Sequence, residues 1–282
     1  MTAPPTTPTW TRPGFWTLLG ERTKAELKIF FREKDSLIFV FLFPTMFLLI
    51  FAALMGNIDV TEGMNAPIVV NFRQYFLPGM VATGIIYTGF QNLAISIPVE
   101  RDQGVLKRLR GTPMPSAVYF SAKVIQVYAV SVLQLGLLLL VARFALGIPL
   151  PTDLDSWITF GWVFLLGAAT CTALGIAFSA VPRTGKSASA VVVPVVLILQ
   201  FLSGIYFPFN QVPDWVQTFS GVFPLRWMAQ GMRSVFLPDF MVSQEPGQTW
   251  ALGTGATVMG VWLVVGLALA FRFFRWQSRK DG

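Results

Sequence analysis

Histidine is absent from the 282 residues, and cysteine occurs once. Without histidine there is no Ser-His-Asp triad, no HExxH zinc site and no histidine proton relay. Cys171 has no second thiol to meet, which excludes a disulfide within the chain. Charge is scarce as well: charged residues make up 12% of the chain, against roughly 25% in a soluble domain. The first ten residues, MTAPPTTPTW, carry neither a basic start nor an apolar core, so no cleavable signal peptide is expected.

Hydrophobic residues, by contrast, fill 54% of the positions. They gather into six runs at Ser36–Gly56, Leu77–Pro98, Val124–Ala142, Trp157–Val181, Ala188–Phe207 and Thr249–Phe271. Each holds about 19 residues or more, enough for a helix to cross about 30 Å of hydrocarbon. The expected fold class is therefore an all-α integral membrane protein with six transmembrane helices. Residues 1–35 read as a tail and an interfacial helix, and 36–282 as the six-span domain. No Asp or Glu lies in the interior of any run. Carriers driven by an ion gradient place such costly groups inside the membrane, so that reading lacks its coupling residue and remains only an alternative. Lys123 and Arg143 bracket the third run and are expected to snorkel to opposite faces.

Orientation follows from where Lys and Arg fall. Seventeen lie in the N-terminal segment, the second and fourth loops and the C-terminal tail. Four (Arg73, Arg143, Arg226 and Arg233) lie on the other side. Both termini are expected in the cytoplasm, and the net charge of +7 is accounted for without a nucleic-acid partner.

The stretch AVPRTGKS, Ala180–Ser187, nearly spells a phosphate-binding loop. Such a loop needs a strand before it and a free helix N-terminus behind it. Here an apolar helix precedes it, Pro182 lacks an N–H, and Ala180 replaces the first glycine. Its expected role is a cytoplasmic turn with Arg183 and Lys186 as anchors. The chain has no ATPase site of its own and is not read as an enzyme; energy must enter from outside the bilayer.

The second cytoplasmic loop, Glu100–Val124, is the expected entry point. Val105, Leu106 and Leu109 form one apolar helix face, with Arg101, Lys107, Arg108 and Arg110 on the others. Gly104 permits close backbone approach, and Pro113 and Pro115 stop the helix. An ordinary solvated basic loop is the competing reading. The pattern E-R-[DE]-x-G-x-L-K-x-L-x-x-T-P after the second of six spans resembles the type-2 ABC exporter permease family. Glu100, Arg101, Asp102, Gly104, Leu106, Lys107, Leu109, Thr112 and Pro113 stand at its motif positions. The stretch Leu202–Phe236 resembles the family's segment between the last two spans, through Gly204, Pro208, Pro213, Trp215, Pro224, Leu225 and Arg233.

The resemblance covers about residues 15–275 and carries several implications. The loop becomes a coupling helix docking on a separate ABC-type ATPase, which uses ATP and Mg, while this chain binds no cofactor or metal. Two permease subunits, alike or different, join two ATPases in a bacterial plasma membrane. Residues 14–34 become an interfacial helix, and the segment after span five forms re-entrant outer helices closing the pathway. The cargo becomes an amphipathic small molecule, drug or lipid, with a lipid-linked polysaccharide as the alternative.

Three further patterns carry expectations. Gly167, Cys171, Gly175 and Ser179 repeat small residues every fourth position, a face for close helix contact. Pro44 and Pro194 interrupt two spans, where kinks are expected. Gln91, Asn92 and Ser96 on the second span, Gln134 on the third and Gln200 on the fifth either face a pathway or bond between helices.

Overall fold

The computed structural model describes residues 14–62, 66–207, 209 and 212–274. The expectations on MTAPPTTPTW, on Pro208 and on the tail beyond residue 274 lie outside the described residues. Helix α1 (Phe15–Arg32) ends at Glu33, whose ψ of 96° breaks the helix. Then follow α2 (Lys34–Met55), α3 (Phe72–Asp102), α4 (Val105–Arg110), α5 (Ser116–Ala145) and α6 (Leu154–Phe178). The series closes with α7 (Gly185–Leu202), α8 (Asp214–Ser220), α9 (Pro224–Phe236) and α10 (Leu252–Phe273). The described residues form no sheet, only an isolated Asp59–Asn71 bridge.

Helices α2, α3, α5, α6, α7 and α10 are long and apolar enough to cross a membrane. They correspond to the six apolar runs, so the all-α, six-span class holds. Their ends differ for a physical reason. Hydropathy marks where lipid begins, whereas a helix continues as long as its polar flanks find protein partners. Thus α3 runs on through Glu100 and Arg101, both buried, and α5 begins at Ser116, ahead of buried Tyr119 and Lys123. Helix α7 stops short of its apolar run because Gly204, at φ +63°, turns the chain away. At the start of α6, Asp153 accepts the Ser156 N–H at 2.8 Å. Hydrogen bonds from Ser156 hold the Asp153 carboxyl below its ordinary pKa.

Helix α3 is the axis of the molecule. It is buried along nearly its whole length and packs against α2, α7 and α9. Around it α10 lies along α6, α9 crosses α3, α6 and α10, and α1 lies along α5. Outward faces remain apolar: Leu54, Phe144, Val264 and Phe271 are all exposed, as suits helices whose solvent is hydrocarbon.

The stripe of small residues sets the α3–α6 distance. A Cβ on Gly175 would come within 2.7 Å of the Gly89 carbonyl oxygen, and one on Gly89 within 2.8 Å of the Cys171 Cβ. Gly167 meets α9 instead, where a Cβ would fall 2.8 Å from the Met228 sulfur. Cys171 is a buried packing residue in this seam that also borders the cavity behind it. Because lipid supplies no hydrophobic drive between helices, backbone approach of this sort is what holds them. Gly175→Val is expected to destabilise the folded chain by about 1–3 kcal/mol through overpacking, read as an earlier midpoint in a dodecylsulfate unfolding titration.

Wide π-turns interrupt three spans, at Ile38–Leu42, Tyr87–Gln91 and Val141–Ala145. Pro44 sits at the start of the α-helical stretch that follows the first, where its missing N–H is tolerated. Pro194 lies inside continuous α7.

Candidate functional site

Four charged side chains from three helices meet where α1, α3 and α5 converge. Lys123 on α5 places its Nζ 2.8 Å from Glu26 Oε2 on α1 and also bonds Glu100 on α3. Glu26 pairs in turn with Arg22, and the Tyr119 hydroxyl donates to Glu100 Oε2 at 3.0 Å. Arg22 and Lys123 both stand over the Tyr119 ring, at 5.4 and 5.7 Å from its centre. Two cations thus balance two carboxylates in a site that excludes solvent, which is the condition under which buried charge is tolerated.

Lys123 therefore does not snorkel; at 2% exposure it is enclosed. Glu100, expected just past the end of its span, lies within the continuous helix α3. Glu26 went unnoticed in the sequence. Its signal was a single carboxylate on the face that also carries Leu19 and Phe30, both buried. A charge on an apolar face announces a buried partner.

The next two residues of the ERD sequence tie neighbouring loops together. Arg101, buried, donates to the carbonyls of Ser179 at 3.4 Å and Pro182 at 3.2 Å. Asp102 accepts the Gly185 N–H at 2.6 Å, at the first residue of α7. Thr184 and Ser187 close a capping box at the same terminus. The helix N-terminus of the near-phosphate-loop is thereby occupied by the chain's own carboxylate and cap. The arrangement agrees with reading AVPRTGKS as a turn.

Gly104 follows at φ +71°, a left-handed conformation that favours glycine. No heavy atom of the described residues lies within 4 Å of a Cβ placed there. Within the chain its role is this turn, and the space beside it is open. Helix α4 then presents two faces. Leu106 is fully buried among Leu93, Ile97, Tyr119, Val127 and Ile176, with Leu109 packed against the same cluster. Lys107, Arg108, Arg110, Thr112 and Pro113 are exposed. The helix ends at a Gly111 C-cap, two residues before Pro113. Of the nine expected coupling residues, Glu100, Arg101 and Leu106 are buried anchors and Asp102, Lys107, Thr112 and Pro113 are exposed; Lys107 forms a basic, outward-facing edge with its neighbours Arg108 and Arg110.

At the other end of the bundle Arg233 is buried and held by Glu245, with Nη2 3.1 Å from Oε2 and Nε bonded to Oε1. Its Nη1 donates to the Gly204 carbonyl at 3.3 Å. Gly204 and Arg233 of the expected outer gate are thus joined, whereas Pro224, also buried, starts α9 more than two turns away. Pro213 and Trp215 are exposed on α8 and stand apart. Glu245, beyond the motif, was missed; nothing in its local pattern marks it.

The expected pathway residues separate into two groups. Gln91 and Asn92 line a cavity of about 320 Å³ between α2, α3 and α7. Gln200 donates to Thr83 Oγ1 at 3.2 Å and accepts from the Tyr206 hydroxyl at 2.9 Å, an interhelical bond. Gln134 is enclosed against Gly84, with neither amide atom partnered among the described residues. A larger cavity of about 650 Å³ between α3, α6, α7 and α10 has hydrocarbon and aromatic walls, including Phe90, Phe178, Leu199 and Trp262. No cluster of His, Cys, Asp and Glu among the described residues has the makings of a metal site.

The sequence is similar to proteins named for transport. It is 24% identical over 201 residues to YvfS of Bacillus subtilis, named as a transport permease, covering 71% of this chain and 78% of that one. It is 24% identical over 227 residues to the inner membrane transport permease YadH of Escherichia coli, covering 79% and 84%. A third relative, the probable multidrug ABC transporter permease YbhR of Escherichia coli, is 21% identical over 183 residues, covering 65% of this chain and 49% of its own length. The sequence model of the ABC-2 type transporter family matches residues 17–237, which takes in the charge cluster, α4 and most of the outer segment, and the chain belongs to that family.

Proposed function

We propose that this chain is the membrane subunit of an ATP-driven exporter, moving an amphipathic small molecule out of the cell with a separate ABC-type ATPase. One observation carries the reading: α4 is anchored by Leu106 and shows a basic outer edge of Lys107, Arg108 and Arg110. A short helix fixed on its inner side and charged on its outer side is a rigid handle for a soluble partner. The E-R-D residues before it bind α5 and the α6–α7 turn, and Lys123 of α5 carries the link on to Glu26 of α1, so a displacement of α4 reaches several helices at once. The name of the relative YbhR supports the cargo class.

In this reading two such subunits, identical or not, pair with two ATPases that use ATP and Mg, in a bacterial plasma membrane. Both termini then face the cytoplasm with α4, α1 lies at the membrane interface and α8–α9 dip into the outer leaflet. The test is a pull-down from native membrane, wild type beside the Gly104→Leu, Leu106→Asp variant. An ABC-type ATPase is expected to accompany wild type and to fall about tenfold or more in the variant, with both chains inserted equally. No ATPase with wild type would overturn the reading.

One observation favours a second reading, an ion-gradient-driven carrier: Glu26 and Glu100 are buried carboxylates. Against it, Lys123, Arg22 and Tyr119 occupy both. Substrate movement by the purified chain under a pH gradient, without nucleotide, would decide for the carrier.

A further inference from the structure

The cavity between α2, α3 and α7 differs from the hydrocarbon surface around it. Its rim carries the exposed carboxylates Glu33 and Asp35. The neighbouring cations Arg32, Lys34 and Lys186 do not contribute to its walls. The break at Glu33 between α1 and α2 turns the two acids toward the cavity, so the rim is negative although the local sequence, REKD, is neutral.

Deeper inside, Gln91 and Asn92 line the cavity at 6% and 9% exposure. Neither side-chain amide has a hydrogen-bond partner among the described residues. Both amides are open to the same space, together with the unpaired Ser96 hydroxyl, and are free to bond a molecule that enters it. Phe39 and Tyr87 add aromatic wall. The walls on α2 and α3 both run through π-turns, Ile38–Leu42 and Tyr87–Gln91, which change the helix register and are frequent at functional sites. From Val99 to Tyr87 the cavity follows α3 for about 18 Å. Its volume of about 320 Å³ suits a small organic molecule.

We propose that this cavity binds an amphipathic organic cation. The cationic head meets Glu33 and Asp35, the apolar body lies against Phe39 and Tyr87, and Gln91 and Asn92 bond its polar atoms. Aromatic faces attract cations as well, whereas an anionic amphiphile meets two carboxylates and no wall cation. The inference rests on the exporter reading and names the charge of its cargo.

The test uses the full-length chain in lipid nanodiscs without nucleotide. Ethidium binding is followed by fluorescence anisotropy, with 8-anilinonaphthalene-1-sulfonate as an anionic amphiphile of similar size. Ethidium is expected to bind saturably, and about tenfold more weakly to the Glu33→Gln, Asp35→Asn variant. Wild-type affinity should fall with salt, since the acids are at the rim, and that salt dependence should be lost in the variant. Gln91→Leu should weaken ethidium while preserving the salt dependence. Equal ethidium affinity for wild type and the acid variant, or displacement of ethidium by the anion, would overturn the proposal. Binding is read without the ATPase, so the two readings fail separately. Ethidium bound through Glu33 and Asp35 by a chain that recruits no ATPase would retain the cation site and reject the exporter. An ATPase-recruiting chain indifferent to both acids would do the reverse.

Discussion

Lys123→Met is expected to destabilise the folded chain by about 3–5 kcal/mol, because it removes one member of a buried ion pair and strands the other. Two carboxylates are stranded here, Glu26 and Glu100, with Arg22 as the one remaining cation of the cluster. The unfolding midpoint in a dodecylsulfate titration measures the loss. The double variant Lys123→Met, Glu100→Gln should recover most of it, since Glu26 keeps Arg22 as its partner and no unpaired charge is left buried. A single variant as stable as wild type would show that the cluster is hydrated in the membrane. The separation of effects also bears on function. If the cluster transmits motion from α4 to α1 and α5, the double variant should be folded and still bind the ATPase, yet lose the stimulation of ATP hydrolysis by cargo.

Removing Arg233 should have a similar effect at the opposite end. Arg233 is 1% exposed and joins three segments: α9 through its backbone, Glu245 through two hydrogen bonds, and the Gly204 carbonyl through a third. Arg233→Met leaves Glu245 as a buried lone carboxylate, an expected loss of about 3–5 kcal/mol. Glu245→Gln keeps the shape but only one of the two acceptors and leaves Arg233 as a buried lone cation, so a loss of similar size, about 3–5 kcal/mol, is expected. The change should be local. Amide hydrogen exchange is expected to rise in residues 237–250 and around Gly204, while α5 and α6 remain protected. Uniform exchange across the whole chain would instead make Arg233 a global determinant of the fold.

Legibility in the sequence followed the range of the interaction. The amphipathic character of α4 was visible because Val105, Leu106 and Leu109 are neighbours on one turn, and the Gly167–Ser179 stripe because its spacing is helical. The partners of these features were not visible. Whether Glu100 and Arg101 face a partner protein or the chain itself depends on Lys123, Ser179 and Pro182, their partners 23 to 81 positions away in sequence. Both proved to be inward anchors, and the outward edge of α4 is left to Lys107, Arg108 and Arg110. Likewise Gln200 and Gln91 are the same residue type on apolar helices. One bonds Thr83 and Tyr206, the other lines a cavity.

The sequence by itself determined the membrane character, the six spans and the family, because hydrocarbon imposes a length and an apolar composition on every crossing helix. It also disposed of catalysis by histidine or disulfide chemistry, for want of the residues. The tertiary structure alone decided which charges are paired, which glycines set helix distances and which polar side chains remain without a partner. Those outcomes rest on contacts between helices distant in sequence, and a low-dielectric interior makes each such pairing, or its absence, energetically large.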